Sequence, residues 1–300
     1  MSASHISETP LVSVIVPTYN RPALLERALR SVLSQTFRNF EVIIVNDAGA
    51  DVEPLLRRLP SDHDLRYLAH PANRGPAAAR NTGIQAARGD YIAYLDDDDI
   101  YYPGHLQALV DFLWRGVFSI AYTDACRAWQ VEQEGEWITT ARDTPYSWEF
   151  DADDILESNH IPTLCVMHER RCIDGAGMFD ESLPALEDLD LWIRMSRKYA
   201  FAHIPQVTCE FSCRGEADTL SNKYGRDFSK ILPTIYSKYE PDRKDAHYRK
   251  RIKALEREIS ERDRRIRDLQ VELERMGSLL HWCRRKAGRL VGRLLRIVNR

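Results

Sequence analysis

No run of about 18 apolar residues occurs in the 300-residue sequence, which excludes an ordinary membrane-spanning helix. Met1 to Pro10 is short and polar, without the apolar centre of a secretory leader. Cysteine is sparse: the six residues at 126, 165, 172, 209, 213 and 283 form no Cys-x-x-Cys pair and no regular spacing. That excludes a disulfide framework or a cysteine zinc site and reads as reduced thiols of a cytoplasmic protein. No Gly-x-Gly-x-x-Gly follows the first strand and no Walker lysine loop occurs, so neither motif supports a dinucleotide or P-loop site. Internal repeats are absent too. With 44% apolar and 29% charged residues, the chain has the makeup of a soluble globular protein of one large domain or two modest ones.

The net charge of −3 conceals an asymmetry. Residues 241–300 carry 19 basic and 9 acidic side chains, and the remaining 240 residues carry 23 and 36. An acidic body joined to a basic tail predicts that the tail is drawn to something anionic.

In the first hundred residues, short apolar runs alternate with stretches of helical period. Strands are predicted at Leu11–Val16, Phe40–Val45, Leu65–Ala69 and Tyr91–Leu95. Helices are predicted from Pro22, near Val52–Leu59, over Gly75–Ala87 and from about Pro103 to Trp114. The alternation argues for an α/β, Rossmann-like, mostly parallel sheet flanked by helices. After a strand at Phe118–Thr123 the pattern loosens: a hairpin is expected over 127–139, irregular chain over 140–185, a helix at Glu187–Lys198, and strands over Ala202–Cys213 broken at Pro205. From 248 to 297 apolar residues recur in steps of three and four, interrupted only at Arg262; this heptad seam predicts a coiled coil and a homo-oligomer. From Gly277 the chain carries seven basic and no acidic residues, a basic amphipathic helix suited to an anionic membrane surface.

Ligands of open parallel sheets bind beyond the carboxyl ends of the strands. Those ends carry Pro17-Thr18-Tyr19-Asn20, Asn46-Asp47 and Asp96-Asp97-Asp98-Asp99, with Arg74 and Arg80 in the loop and helix before the last. Four adjacent carboxylates are either a site for a hard divalent cation or a solvated acidic turn that caps the next helix. Asp47 reads either as a turn former or as an acceptor for a base or ribose.

The segments Val12–Pro22, Ser34–Phe37, Glu41–Asp47, Asn73–Asn81, Gly89–Asp99, Gly177–Glu181 and Glu187–Trp192 together closely resemble family 2 glycosyltransferases, in order, over about residues 11–215. The resemblance implies the nucleotide-diphospho-sugar transferase fold, GT-A, and inverting transfer of a sugar. It implies that Pro17 and Tyr19 line the nucleoside, that Asp47 contacts the base edge, and that Arg80 lies near the base or diphosphate. Asp96 and Asp98 match the family's DxD motif, holding Mn²⁺ or Mg²⁺, with Asp97 near the ribose or diphosphate. Asp188 matches the catalytic base, and Glu187, Trp192 and Arg214 fall on the acceptor and diphosphate side. Two departures stand out: Asn46 where the family commonly has an aspartate, and Arg214 without the histidine that often follows it.

The resulting expectation is a disordered stretch at 1–10 and a GT-A domain at 11–240, with a nucleotide-binding half at 11–125 and an acceptor-side half at 126–240. A coiled coil at 241–276 and a basic amphipathic helix at 277–300 complete it. The expected function is metal-dependent transfer from a nucleotide-sugar donor, UDP-linked by default, to a glycan or lipid-linked acceptor, by a cytoplasmic protein for which the basic tail offers a peripheral site on the inner face of the cell membrane. The alternatives are a catalytically degenerate coiled-coil scaffold on the same fold and a nucleotidyltransferase on a similar sheet. Nucleic acid is not an expected partner, because a lone Trp282 among regular leucines makes a poor stacking platform.

Overall fold

The computed structural model describes residues 9–60, 63–133, 136–214 and 228–298, and side chains within those ranges except at 136, 228–230 and beyond 272. The expected disorder at 1–10 falls mostly outside these residues, as does the Glu134-Gly135 tip of the expected hairpin.

Strand β1 (Val12–Thr18) and strand β2 (Phe40–Asn46) are buried at every position, as the unbroken apolar runs demand of strands covered on both faces. Helix α1 (Pro22–Leu33) connects them. Its Pro22 occupies the first turn, and Leu25, Ala28, Leu29 and Val32 face the sheet. A short helix α2 (Glu53–Leu56) leads to edge strand β3 (Asp64–Ala69), and helix α3 (Pro76–Ala86) crosses back to β4 (Tyr91–Tyr94). The pairings β3–β2, β2–β1 and β1–β4 are all parallel, so four carboxyl ends open on one edge. Gly83 of α3 lets that helix lie directly on β1: a Cβ there would meet Ile15 Cγ2 at 2.4 Å.

The second half is mixed rather than parallel. After the short strand β5 (Ile100–Tyr101) and helix α4 (His105–Leu113) come the long strand β6 (Ile120–Gln133) and its hairpin partner β7 (Glu136–Asp143). Residues 140–185, expected to be irregular, contain the end of β7, a 3₁₀ turn at Thr163–Cys165, strand β8 (Val166–Glu169) and helix α5 (Arg171–Ala176). Strand β8 inserts antiparallel between β4 and β6 and joins the two halves into one sheet, in the order β3-β2-β1-β4-β8-β6-β9-β5. Helix α6 (Glu187–Ser196) precedes strand β9 (Phe201–Arg214). β9 is a single strand, not two pieces broken at Pro205. Its register against β6 slips between Ile204 and Val207 and again before Cys209, so the proline sits in an irregularity where its missing N–H costs no ladder bond.

Helices α7 (Phe228–Lys238) and α8 (Glu240–Val298) follow. The chain divides into two compact units, Met1–Arg243 and Lys244–Arg300. Among the described residues no helix is long and apolar enough to cross a membrane.

Candidate active site at the carboxyl ends of the strands

Three non-glycine residues of the described chain have positive φ: Asn20 after β1, Ala48 after β2 and Leu186 before α6. Left-handed backbone of this kind concentrates where a site needs a sharp turn, and each of the three borders a segment singled out in the sequence. The loops after β1 and β2 lie against each other. Asn20 Oδ1 accepts a bond from Ala50 N at 2.8 Å, and a Cβ on Gly49 would stand 2.6 Å from Asn20 N. Asn46 uses both ends of its amide. It accepts from Gly49 N at 2.8 Å and donates to Ala50 O at 2.9 Å and Tyr67 Oη at 3.0 Å. An aspartate could not donate, which gives the departure at Asn46 a local structural reason.

Asp47 is buried, and its carboxylate accepts from Arg74 N at 2.9 Å and Gly75 N at 2.7 Å, at the start of α3, and faces His70 Nδ1 at 2.6 Å. It thereby fixes the Asn73–Gly75 loop. Pro17 is buried within β1, while Tyr19, one residue past its end, is 47% exposed and presents an open ring face at the strand mouth.

Arg80 connects the two halves of the site. Its guanidinium is buried and donates to Asp96 Oδ1 at 2.6 Å and to Glu187 Oε1 at 2.5 Å, with the Phe179 ring centroid 5.5 Å away. Burial alone would lower its pKa, but Asp96 and Glu187 outweigh burial and hold it above the ordinary arginine value. Phe179 is positioned by Asn81, whose amide donates to Phe179 O and accepts from Phe179 N, both at 2.9 Å. The Gly177–Glu181 segment thus docks on α3.

The Asp96–Asp99 turn is surrounded by cations. Arg21, at the start of α1, reaches Asp97 at 3.4 Å and Asp98 at 3.2 Å. Arg27 donates to Asp98 O at 2.9 Å, and Arg214 donates to Asp98 Oδ2 at 3.3 Å and to Gln130 Oε1 at 3.0 Å. Thr18 Oγ1 donates to Asp97 at 2.7 Å, and Ser212 N donates to Asp99 at 3.1 Å. Burial first and the neighbouring Asp98 second push Asp97 up to about 7. Burial likewise raises Asp99 well above the carboxylate range. Asp96 and Asp98 are the more accessible pair, with side chains 36% and 14% exposed. Carboxylate oxygens are the donors that Mg²⁺ or Mn²⁺ takes, and in this structure those of Asp96 and Asp98 face Arg80, Arg21 and Arg214. No cluster of three or more metal-ligating side chains exists among the described residues.

On the other side of Arg80, Asp188 sits at the first turn of α6. Its Oδ1 accepts from Asn159 Nδ2 at 3.1 Å and Leu189 N at 2.7 Å, and its Oδ2 accepts from Thr163 Oγ1 at 3.1 Å. Glu187 faces inward to Arg80. Trp192, expected on the acceptor side, is instead fully buried. It packs against Tyr94, Phe179 and Phe201 and donates Nε1 to Ile161 O at 3.2 Å. Its ring fills the aromatic cluster between α6 and the sheet, so it serves the core and not the acceptor side.

The structure therefore brings together Tyr19, Arg80, Asp96, Asp97, Asp98, Glu187, Asp188 and Arg214. Sequence reasoning missed Arg21, Arg27, Asn159 and Thr163. Arg21 directly follows the strand-end segment and was within reach of inspection; the other three join the site only through tertiary packing.

The family model "Glycosyl transferase family 2" matches residues 13–125. The glycosyltransferase YwdF of Bacillus subtilis is 30% identical over 230 residues, covering 76% of this chain and 84% of its own. WcaA of Escherichia coli, named for colanic acid biosynthesis, is 31% identical over 199 residues, covering 65% of this chain and 69% of its own. A glycosyltransferase of Rickettsia bellii is 30% identical over 236 residues, 78% of this chain. This chain spans only 33–40% of the length of three rickettsial relatives. Among solved structures, Staphylococcus aureus TarS in complex with UDP-GlcNAc superposes with a TM-score of 0.61 at 20% identity, over 75% of this chain and 65% of TarS. That likeness shows the GT-A fold.

Proposed function

The chain belongs to glycosyl transferase family 2, and on that premise we propose that it moves a sugar, with inversion, from a nucleotide-diphosphate donor to a hydroxyl of a growing glycan. The observation that carries this reading is the Asp96–Arg80–Glu187 bridge. One buried guanidinium ties the acidic turn where a diphosphate would lie to the helix start where Asp188 waits.

In this account the nucleoside stacks on Tyr19, between the loops after β1 and β2. Asp96 and Asp98 would hold a divalent ion, which would supply positive charge against the departing diphosphate. Arg21 and Arg214, drawn to the same turn, add positive charge that costs no reorganisation when the leaving group departs. Inversion needs a base on the face of the sugar opposite the leaving group. Asp188 is that base: it takes the proton of the acceptor hydroxyl as that oxygen attacks the anomeric carbon. Asn159 and Thr163 orient its oxygens. UDP is the default donor nucleotide of this proposal; solved structures of similar fold hold UDP-GlcNAc and GDP-Man. A surface or lipid-linked polysaccharide as acceptor is supported by the likeness to WcaA and by the basic segment 277–300, which suits an anionic membrane face.

Asp188→Asn tests the assignment. Release of nucleotide from the sugar donor should fall by about 10²–10⁴-fold, while nucleotide affinity stays near the wild-type value. Loss of nucleotide binding, or near-normal turnover, would show that Asp188 is not the base.

A further inference from the structure

Among the described residues, helix α8 carries an exposed apolar strip. Ile252, Leu255, Ile259, Ile266 and Leu269 are 41–58% exposed. Their steps of three and four place them on one narrow face, the seam of a two-helix contact rather than the broad face of a helix packed on a domain. In heptad terms Ile252, Ile259 and Ile266 occupy position a, and Leu255, Arg262 and Leu269 occupy position d. The sequence continues the pattern with Leu273 and Met276. Among parallel coils, β-branched residues at a with leucine at d favour two strands over three or four.

Arg262 is the one seam position of the described helix that breaks the strip, and its surroundings fit a charged layer. Glu258 accepts a bond from Arg262 Nη2 at 2.8 Å within the same helix. Asp263 is the next residue, at position e, and in a parallel pair the e position of one helix flanks the d position of the other. Two parallel, in-register helices would therefore set two guanidiniums among four carboxylates, a complementary layer that only matched registers produce. An antiparallel pair would instead set a residues opposite d residues, with Ile266 facing Leu255 and Arg262 facing Ile259.

We infer that α8 pairs with α8 of a second copy of this chain as a parallel, in-register, two-stranded coiled coil, with Arg262, Glu258 and Asp263 forming its charged layer. Both catalytic units then leave the coil at the same end. The inference goes beyond the transferase reading and does not rest on it.

Light scattering on the full chain at micromolar concentration should give twice the 34.7 kDa chain mass. Ile259→Asp with Leu269→Asp, both at exposed positions, should return the single-chain mass without loss of far-UV helicity from the catalytic unit. Arg262→Leu should lower the dissociation constant by about tenfold or more, because a polar seam residue fixes register at a cost in stability. In a Cys213→Ser, Cys283→Ser background, Leu269→Cys alone should cross-link two chains on mild oxidation. A single-chain, trimeric or tetrameric wild-type mass would overturn the proposal, as would a dimer that survives the double aspartate variant. So would cross-linking only when Leu255→Cys and Ile266→Cys chains are mixed, the signature of an antiparallel pair. Unchanged association in Arg262→Leu would overturn the charged layer.

Discussion

Asp188 accepts three hydrogen bonds from groups on two segments, while Glu187 beside it is committed to Arg80. Adjacent acidic residues thus take different tasks because a helix turns each through 100° relative to the last, one toward the buried guanidinium and one toward the open mouth. His168 lies on strand β8, between β4 and β6. The ring is fully buried, its Nδ1 bonds Glu169 O at 2.8 Å, and Tyr94 Oη lies 2.8 Å from Nε2. Burial lowers its pKa from 6.5 to about 4. Folding therefore selects the neutral ring and the unfolded chain binds the extra proton. This contribution is whole above pH 6.5 and is lost as the pH falls toward about 4, amounting to about 3 kcal/mol. Melting temperature measured against pH should fall over that window in the wild type, and less steeply in His168→Gln. Equal slopes would mean that other groups set the acid limit. Of the site, the residues at strand ends were legible in the sequence because a strand end is marked by its own composition. Arg27, Asn159 and Thr163 were not, because only packing brings them to Asp98 and Asp188.

Helix α6 is held from behind by the chain that follows the sheet. Asp190 is fully buried and accepts from Arg194 Nε at 2.8 Å, Lys238 Nζ at 2.6 Å and Tyr239 Oη at 2.7 Å. Arg243 donates to Leu156 O at 3.1 Å and lies 3.7 Å from the Tyr236 ring centroid, so α7 and the start of α8 also brace the segment leading to Asn159. Asp190→Ala should cost about 3 kcal/mol in denaturant unfolding, since it strands the buried Tyr239 hydroxyl and removes the carboxylate partner of Arg194, while Lys238 keeps Asp180. It should also speed amide exchange in 228–238; unchanged exchange there would show that α7 is held by its apolar face alone. The alternation of period marked the first four strands and their helices, because those strands are buried on both faces and need unbroken apolar runs. Strand β8 was hidden: it is four residues long, includes His168, and is a strand only because β4 and β6 both pair with it. The slipped register at Pro205 hid the continuity of β9 in the same way.

At the scale of the whole molecule, the acidic body and the basic tail belong to different units. On the proposed account, deleting residues 277–300 leaves a soluble, nucleotide-binding protein that no longer sediments with anionic vesicles. Undiminished sedimentation would remove the membrane from the tail's role. The central claim, a nucleotide-diphosphate site built on the Asp96–Asp98 turn, is tested most directly by thermal stabilisation of the full chain. UDP, GDP, TDP and CMP would each be added with and without Mn²⁺, to the wild type and to Asp98→Ala. One nucleoside diphosphate at ~100 times its dissociation constant should add about 2.7 kcal/mol to the wild type, only with the metal, and nothing to the variant. Stabilisation by none of them, or equal stabilisation of Asp98→Ala, would contradict the account.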